Sequence, residues 1–244
     1  MNKDKKPTEE HPDKAPEGGI AQEISAEDLE FIIGSHKTWL ESKGKEGKRA
    51  LLANKILKKV YLQGADLRGA IANQANFQGA EMQNANLFKA NLSSAYMRDA
   101  LLQRAQLREA NMEGCRLIGA RLQEAILTKA KMIRVDLREA DLLEAQLVQA
   151  NLTGAYCRGC NFFMADMRKI IAAEADFQEA DLQGAELGGA DLRKALLCEA
   201  KLANADLEGA DLRGADLRES FGLTQDQIDE ATIDQDTHLP FELG

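Results

Sequence analysis

One class of small residue recurs at every fifth position from 65 to 215, and the register never slips. Alanine holds 27 of these 31 positions. A second series, offset by two residues and running from 62 to 217 in steps of five, has 32 positions and holds leucine at 21 of them. A period of five fits neither an α-helix with 3.6 residues per turn nor a strand with two. Such unbroken self-similarity predicts a solenoid, in which each repeat buries its apolar side only by stacking on its neighbours.

The repeated block reads A-D-L-R-G at 65–69, A-N-F-Q-G at 75–79 and A-D-L-R-E at 215–219. This A-[DN]-[LMF]-x-x block resembles the motif of the pentapeptide-repeat family, and copies in phase cover about two-thirds of the chain. The resemblance implies an all-β fold, a right-handed quadrilateral parallel β-helix with four pentapeptides per coil and about eight coils. It also implies that the leucine-class residues point inward. One column of this predicted core, with members twenty residues apart, is Leu67, Leu87, Leu107, Leu127, Leu147, Met167, Leu187 and Leu207.

The chain divides into four segments. Residues 1–24 are polar and are predicted to form a disordered tail. Residues 25–49 are predicted to form a capping helix and a linker, with Ser25 as the N-cap and the helix ending near Ser42. The repeats occupy 50–220. Residues 221–244 are predicted to form a short helix, capped by Thr224 and Gln227, followed by an acidic tail.

Charge is unevenly distributed along this chain of net charge −9. Residues 104–134 carry seven bases and three acids, whereas residues 174–219 carry 12 acids and five bases. No signal peptide or apolar run of membrane-spanning length is present, so we expect a soluble, bacterial, cytoplasmic protein without a membrane partner. Cys157 and Cys160 spell C-x-x-C, but no second pair accompanies them, so neither a metal nor a redox role is expected.

The twenty-residue coil arranges outward side chains in columns. One column holds Gln63, Gln83, Gln103, Gln123 and Gln183, and stacked amides of this kind are predicted to bond along the rod. Leu143 and Phe163 interrupt this column, and Met164 follows Phe163. Three neighbouring outward apolar groups make Leu143, Phe163 and Met164 the candidate protein contact. The alternative is that the turn geometry tucks some of them inward.

Two core positions, Ala72 and Ala172, hold alanine where leucine is expected. Each follows an isoleucine, Ile71 and Ile171. An unfilled leucine site costs about 2–5 kcal/mol. We therefore predict that these isoleucines turn inward to fill the volume.

Nothing in the sequence indicates catalysis. The three histidines, His11, His36 and His238, all lie outside the repeats, and no nucleophile triad, metal-binding motif or phosphate-binding loop is present, so no cofactor is expected. The function predicted is a non-enzymatic protein-interaction scaffold without direct nucleic-acid binding. The alternative that the family resemblance implies is a DNA mimic that binds a type II topoisomerase (gyrase) through an acidic rod surface. A homodimer contact at the C-terminal end is expected by analogy with family members.

Overall fold

The computed structural model describes residues 22–243. Residues 1–21, which hold most of the predicted disordered tail, lie outside the described residues. Gln22–Glu23, which belong to the predicted tail, instead form strand β1. This strand pairs in parallel with β2, Lys55–Ile56, so it adds a short edge to the first coil.

The repeats wind into coils of twenty residues. Every fifth residue from Leu51 to Lys201 forms a parallel bridge with the residue twenty positions later, as in Asp66 with Asn86. Two backbone bonds make this bridge: Leu67 donates its N–H to Asn86 O at 2.7 Å, and Asn86 donates to Ala65 O at 2.8 Å. Four such bridges complete a coil, which confirms the right-handed quadrilateral parallel β-helix.

A tight turn separates successive sides of the coil. The N–H of Ala70 donates to Leu67 O at 2.9 Å, and Gly69 between them has a φ of 66°. All 32 equivalent positions from 64 to 219 have a positive φ, and 21 of them hold residues other than glycine. The turn therefore imposes one backbone conformation whatever the side chain, and it places the two residues after each core residue at a corner of the coil.

The core is a continuous column of leucine-class and alanine side chains. The eight residues of the predicted column are all buried: Leu67, Leu87, Leu107, Leu127, Leu147, Met167, Leu187 and Leu207.

The predicted inward turn of the isoleucines beside Ala72 and Ala172 is wrong. Both alanines occupy the buried position, and Ile171 is 44% exposed while Ile71 is half-buried. Successive residues of an extended segment point to opposite faces, so a residue next to an inward alanine must point outward.

Helix α1, Ala26–Glu41, is the predicted N-terminal helix, and it packs against the first coil of the solenoid. Ser25 accepts the N–H of Asp28 at 3.0 Å, and Ser42 follows as the C-cap. Residues of one helix face pack against the core of the first coil, and His36 is fully buried between helix and solenoid.

The C-terminal end departs from the regular coil. Helix α2, Gln225–Asp229, begins at the predicted Thr224–Gln227 capping box. Beyond it Thr232 bridges Asp211 and His238 bridges Asp216, at separations of 21 and 22 residues. The inserted helix therefore lengthens the last coil, and residues up to His238 still cover the end of the column.

Candidate interaction surface

The three predicted contact residues lie together at one corner of two neighbouring coils. Leu143 is half-buried, Phe163 is 41% exposed and Met164 is 55% exposed. We call these three residues the apolar patch. The turn geometry draws in only Leu143, so the patch presents an aromatic ring and a thioether to solvent.

Backbone caps hold this corner rigid. Asp141 Oδ1 accepts the N–H of Leu143 at 3.2 Å, and Asn161 Oδ1 accepts the N–H of Phe163 at 3.0 Å. The two caps are joined because Asn161 Nδ2 donates to Asp141 Oδ1 at 2.9 Å. The Asp or Asn before each core residue thus fixes the direction in which the corner side chains leave the turn.

Met164 has a left-handed backbone with a φ of 57°. A non-glycine residue in this region costs about 1–2 kcal/mol. Its side chain lies over Gly184 in the next coil, where a Cβ would stand 2.5 Å from Met164 Sδ. Gly184 therefore leaves the room that the Met164 side chain occupies.

The column that contains this patch does not form the predicted glutamine ladder. The Oε1 atoms of Gln83, Gln103 and Gln123 are buried without a hydrogen-bond partner. The amide of Gln63 instead donates to Glu81 Oε2 at 2.7 Å, and Gln123 donates to Asp141. The predicted amide ladder is wrong: the amides of Gln63 and Gln123 bond to carboxylates of the next coil, which are stronger acceptors than another amide.

Six ion pairs of the solenoid form within single repeats that read D-x-R, while others, such as Lys201–Asp181 and Arg158–Glu179, join neighbouring coils. Where a repeat reads D-x-R, the aspartate accepts the backbone N–H two residues on and also binds the arginine, as in Arg218 Nη2 to Asp216 Oδ2 at 2.6 Å. The Arg218 guanidinium holds the pKa of Asp216 well below its usual range. These pairs are Asp66–Arg68, Asp136–Arg138, Asp166–Arg168, Asp191–Arg193, Asp211–Arg213 and Asp216–Arg218.

The cysteines lack the properties of reactive thiols. Cys115, Cys157 and Cys160 are buried and free, and Cys198 is half-buried. Burial raises the pKa of Cys115 to about 12 and also raises that of Cys157, so both remain protonated at neutral pH. Within residues 22–243, no group of three or more His, Cys, Asp or Glu side chains is placed to hold a metal ion.

Sequence reasoning missed part of the exposed surface at the two ends. Phe31 and Tyr61 are exposed at the N-terminal end, and Phe221 and Phe241 at the C-terminal end. Tyr61 and Phe221 occupy bridge positions of the first and last coils, so the five-residue register itself could have marked them as outward. Neither helix in the described part of the chain has the length and apolar character that a bilayer crossing needs.

Comparisons with known proteins agree with this architecture. The family model described as pentapeptide repeats matches in eight copies, over residues 56–93, 95–132, 130–168, 160–197 and 175–219. No curated protein sequence matches significantly.

Two solved structures share the fold. HetL from Nostoc sp. strain PCC 7120, a protein involved in the regulation of heterocyst differentiation, has a TM-score of 0.55 and 23% identity, covering 88% of this chain and 94% of its own. A trypsin-treated variant of QnrB1, a plasmid-mediated fluoroquinolone resistance protein, has a TM-score of 0.53 and 20% identity, covering 80% and 87%. At these identities the likeness shows the fold alone.

Proposed function

Because this chain belongs to the pentapeptide-repeat family, we propose that it is a non-enzymatic scaffold that binds a protein partner in the bacterial cytoplasm through the apolar patch. The observation that carries the proposal is the exposure of Phe163 and Met164 side by side on an otherwise polar corner. Exposed apolar groups gain nothing from folding. Their burial against a partner stabilises a complex by roughly 25 cal/mol per Å² of apolar surface.

The patch has the layout of a binding hot spot. An aromatic ring, a methionine and a leucine form its centre, and polar residues surround it: Gln123 precedes Leu143 in the column and Gln183 follows Phe163. Aromatic anchors within a ring of groups that exclude water dominate the energy of many interfaces. The backbone caps at Asp141 and Asn161 add to this, because a preorganised anchor loses little freedom on binding.

The test is affinity capture from a bacterial lysate with quantification of every co-purified protein. The baits are the wild type, a Leu143→Ser/Phe163→Ser/Met164→Ser variant, and an Ile171→Ser/Leu196→Ser control that removes exposed apolar groups elsewhere. We expect at least one protein that the wild type and the control retain and the triple variant loses. Identical sets of captured proteins for all three baits would refute the patch as the contact. Thermal unfolding followed by circular dichroism shows whether each variant is folded.

The second candidate function, DNA mimicry toward gyrase, depends on the acidic residues of 174–219. Three of the Asp–Arg pairs lie there, at Asp191, Asp211 and Asp216, and Lys201 binds Asp181 at 3.1 Å. This pairing reduces the negative field that a DNA mimic presents. A gyrase supercoiling assay with the same variants separates the two functions: gyrase inhibition or protection that the triple variant retains would favour mimicry over the scaffold.

A further inference from the structure

A basic groove crosses one side of the solenoid, away from the apolar patch. It has a volume of about 540 Å³, and its floor is the column of Arg116, Asp136, Tyr156 and Asp176. Three further arginines and a glycine complete the lining. The members of this arginine groove are Gly114, Arg116, Arg134, Asp136, Arg138, Tyr156, Arg158 and Asp176.

Glycine keeps one rim of the groove open. Arg134 stands at a corner between Gly114 in the coil before and Gly154 in the coil after. The stem of Arg134 lies along this column, because a Cβ on Gly154 would stand 3.7 Å from Arg134 Cγ. Small neighbours on both sides leave the guanidinium free to reach over the floor.

The groove carries more positive than negative charge. Four guanidinium groups face two carboxylates, in a chain whose net charge is −9. Arg138 is paired with Asp136 at 2.8 Å, and Arg158 is paired at 2.5 Å with Glu179 outside the groove. The Arg134 guanidinium makes no hydrogen bond or salt bridge with a residue in 22–243. Glu113 is bound by Lys131, and the charges of Lys131 and Arg134 both lower the pKa of Glu113.

Two tyrosines contribute to the hydrogen-bond donors of the arginine groove. The Arg116 guanidinium lies 4.9 Å from the centre of the Tyr96 ring, which orients it. Tyr156 is about half exposed and adds a phenolic hydroxyl to the floor. Planar guanidinium groups bind carboxylates in a bidentate manner, which is more specific than contact with a point charge.

We propose that the arginine groove binds an acidic, extended segment of a partner protein. Arg116 and Arg158 lie two coils apart, which corresponds to roughly 10 Å. An extended segment in the polyproline II conformation rises about 9 Å in three residues and returns to the same face, so the groove fits acidic side chains three positions apart. A nucleic-acid backbone fits less well, because its dense charge would meet Asp136 and Asp176 on the floor.

This inference deepens the proposed scaffold function, because it gives the chemistry of a partner segment at a second surface. It is independent of the apolar patch in one respect: the triple-serine patch variant is expected to bind an acidic peptide as the wild type does. Loss of captured proteins and loss of peptide binding therefore report on different surfaces.

The probe is a fluorescein-labelled peptide of about twelve residues, with glutamate at every third position in a serine and glycine background. Fluorescence anisotropy measures its binding to the full chain at low and at higher salt. We expect saturable binding by the wild type and no binding of the matching glutamine peptide. An Arg134→Glu/Arg158→Glu variant should bind the glutamate peptide roughly tenfold more weakly or worse.

The matched control is Arg108→Glu/Arg121→Glu, which makes the same change of charge at exposed positions outside the groove. We expect it to change the affinity less than about threefold, because long-range attraction is screened by salt.

Equal weakening by both double variants, or no saturable binding by the wild type, would overturn the proposal. Displacement of the peptide by inorganic phosphate, added at the same concentration as the peptide carboxylates, would also overturn the proposal. So would tighter binding of a single-stranded oligonucleotide than of the peptide. An Arg134→Gln/Arg158→Gln variant tests the groove if the charge reversal impairs folding.

Discussion

At the scale of single residues, the turns at the corners of the coil show that a positive φ does not by itself require glycine. The hydrogen bonds of the coil hold the third residue of each turn, one residue in five, at positive φ, and glutamate, lysine and methionine adopt this conformation there although it costs them more than it costs glycine. Glycine is required where the next coil or the chain terminus comes too close for a Cβ. Gly222 is such a position, because a Cβ there would stand 2.7 Å from the Cβ of Ala203 and 3.0 Å from its backbone N.

Replacing Gly222 with alanine should therefore destabilise the C-terminal end. Gly222 has a φ of 73°, and the added methyl group would force the backbone away from Ala203. We expect a loss of about 1–3 kcal/mol for this overpacking, in addition to the left-handed conformation. Gly209→Ala is the matched control, because Gly209 has a φ of 66° with open space around it. Urea unfolding measures both, and equal losses would show that contact with Ala203 is unimportant.

The alanine column predicts a second effect of single residues. Ala110 is fully buried, so Ala110→Leu should overpack the core and cost about 1–3 kcal/mol or more. Arg108, two residues earlier, is exposed, and Arg108→Gln should change the stability by less than about 0.5 kcal/mol. Urea unfolding of the two variants compares them directly. Similar losses would contradict the register of the repeats.

At the scale of elements, helix α1 is attached to the solenoid through a buried histidine. His36 Nδ1 accepts the N–H of Ala50 at 3.0 Å, and its Nε2 is buried without a partner. The ring stacks on Trp39 with centroids 5.5 Å apart. Burial lowers the pKa of His36; Asp66 and the backbone of Arg68 oppose this, while the charges of Arg49 and Arg68 add to it.

Acid should therefore release helix α1. Because the pKa of His36 is lower when the helix is docked, the released state takes up the proton more readily. The contribution of neutral His36 to the stability of the docked helix is fully present above the ordinary histidine pKa of about 6.5, and it declines as the pH falls below that value. Protonation also turns Nδ1 from an acceptor into a donor that faces the N–H of Ala50.

Fluorescence of Trp39, the single tryptophan of the chain, measures this release. We expect a reversible change in its emission as the pH falls from neutral toward the range where carboxylates begin to titrate. His36→Gln keeps an acceptor for Ala50 but does not titrate, so its emission should stay flat over the same range. A transition that persists unchanged in His36→Gln would exclude His36 as the titrating group.

At the scale of the whole molecule, the two ends differ in what they expose. The C-terminal end presents Phe221, 59% exposed, and Phe241, fully exposed, beside a segment with six acids and no bases. The N-terminal end presents Phe31 and Tyr61 next to helix α1. Apolar side chains at an end are suited to a contact between two copies, since a symmetric dimer needs only one self-complementary surface.

We predict a homodimer through the C-terminal end. Light scattering coupled to gel filtration should give the mass of two chains for the wild type and of one chain for Phe221→Ser/Phe241→Ser. Phe31→Ser/Tyr61→Ser changes two exposed aromatic residues at the other end, and this variant should remain dimeric. A wild type with the mass of one chain, or dissociation by the N-terminal change alone, would contradict this arrangement.

Much of the architecture follows from the sequence alone, because each repeat is a local rule applied many times. The five-residue register identifies the buried positions, including Ala110 and the core column, and the capping residues at Ser25 and Thr224 identify both helix starts. The same register located Leu143, Phe163 and Met164 at neighbouring corners. These features depend on residues close together in the chain or one repeat apart, so their chemistry can be read from the order of the residues.

Only the tertiary structure decided what meets across coils and at the ends. It paired the amide of Gln123 with Asp141 of the next coil, and it closed the last coil at a separation of 22 residues between Asp216 and His238. It also brought Arg134 and Arg158 to one groove, although the basic segment in the sequence ends at Arg134. The physical reason is that contacts between outward side chains depend on how whole coils stack. The five-residue pattern specifies the buried core residues but not these contacts.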